Sequence, residues 1–308
     1  MIARFFNHSK PIAYIALSGI FTLAFLSVNF FSDTVELTAS IIFSKLGLLL
    51  VFLVIGFLLN TIVKKNNIHQ QHSFAVSSFM FMVMAFPEVL KASELIISYL
   101  FLILALRRIY DLKTNTLIKQ KLLDASLFLS ASICLEPFHG VFLIVIYFGV
   151  VMYASQDFRH FIIPIVGLSV GFVLLTCYTL VVENRWLHVS EYIPQGFSLE
   201  FFTEGFKYSV LSLYLLVLLA WVVLKLPTIY SRAKLHQNKS ISLTLFLLVI
   251  SLAITATNAN TVAVDVIYIL FPLSILIGNY LQLKTTKTWI KESFYVLFLA
   301  GILFSGLY

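Results

Sequence analysis

The apolar residues of this chain fall into eleven runs, at about 11–31, 40–63, 73–86, 94–106, 122–135, 138–154, 161–182, 209–226, 240–256, 263–283 and 293–307, with polar breaks between them. A run such as "LLVFLVIGFLLNTIVKK" (residues 49–65) carries no charge until its closing lysines. Inside a bilayer no water is present to satisfy backbone N–H and C=O groups, so long apolar runs of this kind fold as helices. Composition agrees. Of 308 residues, 60% are hydrophobic and 11% charged, whereas a soluble domain carries about 25% charged residues. The expected fold is all-α: a polytopic integral membrane protein of about 11 transmembrane helices, forming a single transmembrane domain over residues 1–308. No A-x-A-like cleavage site closes the first run, so residues 11–31 read as a retained span and not a removed signal peptide. Cys134 and Cys177 both lie in apolar runs and read as small hydrophobes, without CxxC spacing or a disulfide framework.

Alternating the runs across a membrane sorts the charges. With the N-terminus inside, 17 of the 21 Lys and Arg residues face the cytoplasm, among them Lys64, Lys65, Arg107, Arg108, Lys119, Arg159 and Arg232. The outer segments hold Lys91, Arg185 and Lys207, and Lys45 sits early in the second span. Such a bias is the one the positive-inside rule requires, and it places the N-terminus in the cytoplasm. The net charge of +7 is thereby explained by topology, and no nucleic-acid partner is expected. Acids go the other way: 10 of 14 map to the outer side, including Asp33, Glu36, Glu88, Glu94 and Glu136. Acidic residues contribute little to orientation. The skew therefore points to chemistry or ion binding at the outer face, with ordinary solvated loops as the plainer reading, preferred for the acids between 183 and 204.

Two hairpins stand out. Residues 73–86, 94–106 and 122–135 fall below the roughly 20 residues that a full crossing needs, yet basic residues flank each pair on both sides. The chain must go out and return, so the tips "FPEVLKASE" (86–94) and "LEPFHG" (135–140) either lie below the outer surface or just reach it. Pro87 and Pro137 suit such turns, because proline cannot continue a helical ladder. An ionised carboxylate at that depth is costly unless it is paired or wet, so Glu136 and His139 are expected to face an outer-leaflet cavity or the interface. The longest outer segment, 183–209, carries Trp186, Tyr192, Phe201, Phe202 and Phe206, and reads as an interfacial loop. Residues 210–308 supply the C-terminal helices.

Several chemistries find no motif. There is no Walker A sequence, no GxGxxG, no HExxH and no nucleophile elbow. His69 and His72 sit at metal-ligand spacing, but their neighbourhood offers no third ligand, and no metal site is expected from the residues themselves.

The order of features is more telling. An acid follows the first span (Asp33, with Glu36), then comes the run ending at Lys65. Two short proline-tipped hairpins follow, "FPEVLKASELIISYLFLILALRRI" and "KQKLLDASLFLSASICLEPFHGVFLIVIYF". Over residues 10–155 this resembles the first half of GT-C superfamily membrane glycosyltransferases, which use polyprenyl-phosphate sugars. The stretch "LALRRIYDLKTNTLIKQKLLDASLFLSASI" also resembles a family of bacterial inner-membrane proteins of unknown function. The GT-C resemblance implies a GT-C-like hairpin arrangement and an envelope enzyme working at the outer face on a polyprenyl-phosphate-linked sugar or related lipid. It implies Asp33 as catalytic acid, with Glu88 and Glu136 as supporting acids and a divalent metal ion as the cofactor such a site takes. Lys91, His139, Arg185 and His188 would then neutralise the lipid phosphate. This chain departs from the GT-C pattern in its short first outer loop and in lacking an additional outer domain. Two alternatives are a non-enzymatic membrane subunit or scaffold of an envelope complex and, behind it, a secondary transporter, which would need internal repeats that the sequence does not display.

Overall fold

The computed structural model describes residues 5–6, 11–31, 38–66, 72–182, 184, 186, 209–233, 235–257, 262–283 and 286–305. Among these the regular structure is entirely helical. Helix α1 (Pro11–Leu26) runs on into a π-helical turn, Ser27–Phe31. Then follow α2 (Ala39–Lys65), α3 (Phe74–Met84), the single turn α4 (Pro87–Lys91), α5 (Ser93–Tyr110), α6 (Ile118–Leu135), α7 (Leu143–Tyr153) and α8 (Arg159–Val182). The chain closes with α9 (Ser209–Arg232), α10 (Leu235–Thr257), α11 (Val262–Leu281) and α12 (Thr288–Ser305).

Among the described residues seven helical segments are long and apolar enough to cross a membrane: Pro11–Phe31, Ala39–Lys65, Arg159–Val182, Leu213–Arg232, Gln237–Ala256, Val264–Leu281 and Thr288–Ser305. The protein is thus a multi-pass, all-helical membrane protein. The other apolar runs are helical as well. They form α3 and α5–α7, which are shorter or carry more charge.

The chain packs as two compact units, Met1–Ser93 with Ser198–Tyr308, and Glu94–Phe197. In the first, α3 and α11 lie at the centre. Every residue of α3 is buried, and α11 is covered almost throughout by α3, α9 and α10. Interior glycines let these helices close up: a Cβ at Gly56 on α2 would collide with the Met80 side chain of α3. The Ser77 hydroxyl meets the Tyr295 hydroxyl of α12 at 2.7 Å, inside a cluster formed by Phe6, Phe81, Tyr295 and Phe298. The pair satisfies two buried hydroxyls, each of which would cost about 1–3 kcal/mol if unmet.

The second unit comprises α5–α8. Its tightest seam joins α6 to α8, where Gly167 and Gly171 lie directly over Ser126 and Ser130, so a Cβ at either glycine would overlap a serine side chain. Without a hydrophobic drive between helices in lipid, close contact between small residues supplies the dispersion attraction that holds them. Each serine returns its hydroxyl to its own helix, at Leu122 and Leu123 O for Ser126 and at Leu127 O for Ser130, which keeps the seam free of unsatisfied donors. The opposite face of α8 exposes Ile165, Val166, Val173, Leu174 and Val181.

Candidate functional site

The sequence directs attention to the two hairpin turns, one in each packing unit. In the first unit, α3 ends at Met84, Ala85 and Phe86 close its last turn, and Pro87 opens α4 at a position where its missing N–H is harmless. Val89 and Leu90 are buried, which leaves Glu88 exposed and Lys91 partly covered. The π-helical turn at the end of α1 holds α4 in place: the buried Asn29 amide donates to Phe25 O at 3.2 Å and to Leu90 O at 3.3 Å. A π turn re-aims one residue out of α-helical register, and here that residue is the asparagine that grips the hairpin tip.

In the second unit α6 stops at Leu135. Pro137 forces the preceding Glu136 into extended backbone (φ −139°, ψ 101°) and begins a 3-10 turn, Pro137–Phe142. The Glu136 N–H still reaches Ser132 O at 2.9 Å, and its carbonyl accepts from the His139 N–H at 3.0 Å. Its carboxylate is partly buried, faces the Phe138 amide and feels the carboxylate of Glu94, which stands in the first turn of α5. Neither Glu94 nor Glu136 forms an ion pair among the described residues. A partly buried carboxylate without a cation is destabilising by itself, and such a group suits a site that recruits one.

His139 is fully buried. Its Nδ1 is hydrogen-bonded to the Ser132 hydroxyl, and that hydroxyl donates its one hydrogen to Ser98 O at 2.8 Å. The ring N–H therefore points at Ser132, and the chain Ser98–Ser132–His139 ties α5, α6 and the 3-10 turn together. The ring also meets Phe142 edge-on at 5.9 Å. In this position His139 positions the turn that carries Glu136, and it offers no surface to a lipid phosphate.

At the other end of this unit the connections are rigid. Arg108 and Asp124 pair at 3.1 Å, and the Lys121 ammonium donates to Asp111 O (2.9 Å) and Thr114 Oγ1 (2.6 Å). Asp157 accepts from the Arg159 N–H at 3.0 Å and so caps α8. That bond, with the basic residues around it, holds the Asp157 carboxyl below its ordinary range.

Of the residues singled out from sequence, Glu88 and Lys91 share the first turn, and Glu136 and His139 share the second. Asp33, Arg185 and His188, with His69, lie outside the described residues. From sequence Glu94 is one of the outer acids and carries no role; its place at the first turn of a helix leaving a hairpin is the available signal. Among the described residues no group of three or more His, Cys, Asp or Glu side chains converges as a metal site. Comparison with protein-family models, curated proteins and solved structures finds no match to this chain.

Proposed function

We propose that this chain is a multi-pass protein of a bacterial inner membrane, with its N-terminus in the cytoplasm, that handles a polyprenyl-phosphate-linked sugar or related lipid at its outer face in the manner of a GT-C-like enzyme. The observation that carries the reading is the second hairpin turn: Glu136 stands there partly buried, on backbone fixed by Pro137 and the Ser98–Ser132–His139 chain, and neither it nor Glu94, in the first turn of α5, has an ion-pair partner among the described residues. The charge bias of the loops supports the orientation, and the element order over residues 10–155 supports the enzyme class.

Carboxylates repel a phosphate, so an acidic site for a phospholipid implies a cation between them. Glu94 and Glu136 are the residues that would hold a divalent ion, which would neutralise the lipid phosphate. Two carboxylate ligands suit magnesium, which commonly completes its shell with water and substrate phosphate oxygens. The role of the chain's own residues is to aim these acids: Pro137 and the Ser98–Ser132–His139 chain fix the backbone on which Glu136 stands. Asp33 is the proposed acceptor-orienting acid, Glu88 a supporting acid, and Lys91, Arg185 and His188 the proposed cationic partners of the phosphate.

Binding of a polyprenyl phosphate to the full chain in nanodiscs tests this reading. The account predicts binding with magnesium, its loss on chelation, and at least about tenfold weakening in Glu136→Gln, the loss of one charged contact. Binding unaffected by both changes would refute it. A second reading, a non-enzymatic subunit of an envelope complex, draws on the apolar face of α8, of whose membrane-length window only 17% is buried. It predicts that the solubilised protein migrates with a partner that Val173→Lys releases.

A further inference from the structure

The end of the second unit opposite Glu136 carries a surface that the lipid-handling reading does not use. Two connections close it, residues 111–117 between α5 and α6 and residues 154–158 between α7 and α8. They lie side by side: a Cβ at Gly149 on α7 would meet Ile109 and Leu112, and the charges of Lys119 and Asp157 interact. Six basic residues gather here, Arg107, Arg108, Lys113, Lys119, Lys121 and Arg159, against the three acids Asp111, Asp124 and Asp157. Internal bonds occupy part of this charge, since Arg108 pairs with Asp124 and Lys121 staples the 111–117 connection. Lys119 and Arg159 are exposed.

Each connection also presents one large apolar side chain outward. Leu117 is 72% exposed and Phe158 75% exposed. Leu117 moreover adopts a left-handed backbone (φ 50°), which a leucine rarely takes. In a turn bathed by water neither feature brings a benefit. At a membrane surface, apolar side chains interleaved with cations are the composition that enters the boundary between headgroups and acyl chains.

We propose that this end of the second unit is a docking surface for anionic phospholipid, with Leu117 and Phe158 in the headgroup–acyl boundary and Lys119 and Arg159 on lipid phosphates. Charge complementarity selects the partner: an excess of cations at the ends of apolar helices attracts anionic headgroups and is indifferent to zwitterionic ones. The left-handed turn at Leu117 aims an apolar side chain where a membrane, and no other part of the described chain, covers it. This inference stands independently of the chemistry assigned to Glu94 and Glu136.

The test is the set of lipids that the full chain retains when released from nanodiscs of mixed phosphatidylcholine and phosphatidylglycerol, read by native mass spectrometry. Wild type should retain phosphatidylglycerol in excess of its share. Lys119→Gln with Arg159→Gln should reduce that preference by about fivefold per charge removed, while the charge-conserving pair Lys119→Arg and Arg159→Lys keeps it. Leu117→Asn, which suits the left-handed backbone, should lower retention of both lipids without loss of helicity. Equal retention of the two lipids by wild type, or an undiminished preference in the double glutamine variant, would overturn the proposal and leave these charges to solvent or to a protein partner.

Discussion

A single methyl group separates two kinds of glycine in this protein. At Gly167 and Gly171 a Cβ would enter Ser126 or Ser130, whereas at Gly19 on α1 it would meet nothing within 4 Å. Gly167→Ala should therefore cost about 1–3 kcal/mol through forced displacement of α6 from α8, and Gly19→Ala should gain about 0.5–1 kcal/mol by favouring the helix. Thermal unfolding in detergent reads both, and equal effects would contradict the seam. A second pair of side chains makes a similar point. Ser132→Ala removes both the acceptor of the His139 ring N–H and the donor to Ser98 O. It should destabilise the unit by about 1–3 kcal/mol by stranding buried polar groups, and it should disturb Glu136 without touching it. A Ser132→Ala protein of unchanged stability would show that the turn is held by other means. Residue spacing alone does not reveal this triad, because positions 98, 132 and 139 meet only after α5 and α6 pack. The GT-C resemblance implies His139 as a phosphate partner, at a turn where a histidine is ordinarily accessible; packing removes that access.

Among the elements, hydropathy located every helix except the single turn α4, but not its surroundings. The apolar runs at 73–86 and 161–182 look alike as sequence, yet α3 is buried on all sides by protein while α8 turns most of its surface outward. Lipid and protein interior are equally apolar, so a hydrophobic run carries no mark that distinguishes them. Phe79→Ala on α3, at a side chain fully buried, should cost about 3–5 kcal/mol. Leu174→Ala on the outward face of α8, at 64% exposure, should stay within about 0.5 kcal/mol. Comparable losses at both would contradict the assignment of α3 to the core. The hairpin arms also run longer than their apolar runs. α5 continues through Arg107 and Arg108 to Tyr110, and α6 begins at Ile118, ahead of Lys119 and Lys121. Arginine and lysine are good helix formers, and long side chains carry their charge back toward water, so charge ends the apolar run without ending the helix. The π turn at Ser27–Phe31 and its grip on α4 had no sequence signal, since Asn29 looks like an ordinary polar residue near a span end.

For the whole molecule, the all-helical, multi-pass class was legible from apolar runs and charge content alone, because bilayer thickness and backbone hydrogen bonding leave few alternatives. The candidate site was legible only as a region. Hairpin tips and their acids stood out, but the Ser98–Ser132–His139 chain that fixes Glu136 depends on tertiary packing, and Asp33, Arg185 and His188 lie outside the described residues. The proposals on lipid handling share one premise, that the hairpin turns meet the outer face and the basic connections meet the cytoplasm. Cysteine accessibility in intact cells tests that premise most directly. In a background with Cys134 and Cys177 replaced by serine, single cysteines at Glu88, Asn184, Asn115 and Phe158 are treated with a membrane-impermeant maleimide. The account predicts labelling at positions 88 and 184 in intact cells, and at 115 and 158 only after the membrane is permeabilised. Labelling of 115 and 158 from outside, with 88 and 184 protected, would invert the map and contradict the account.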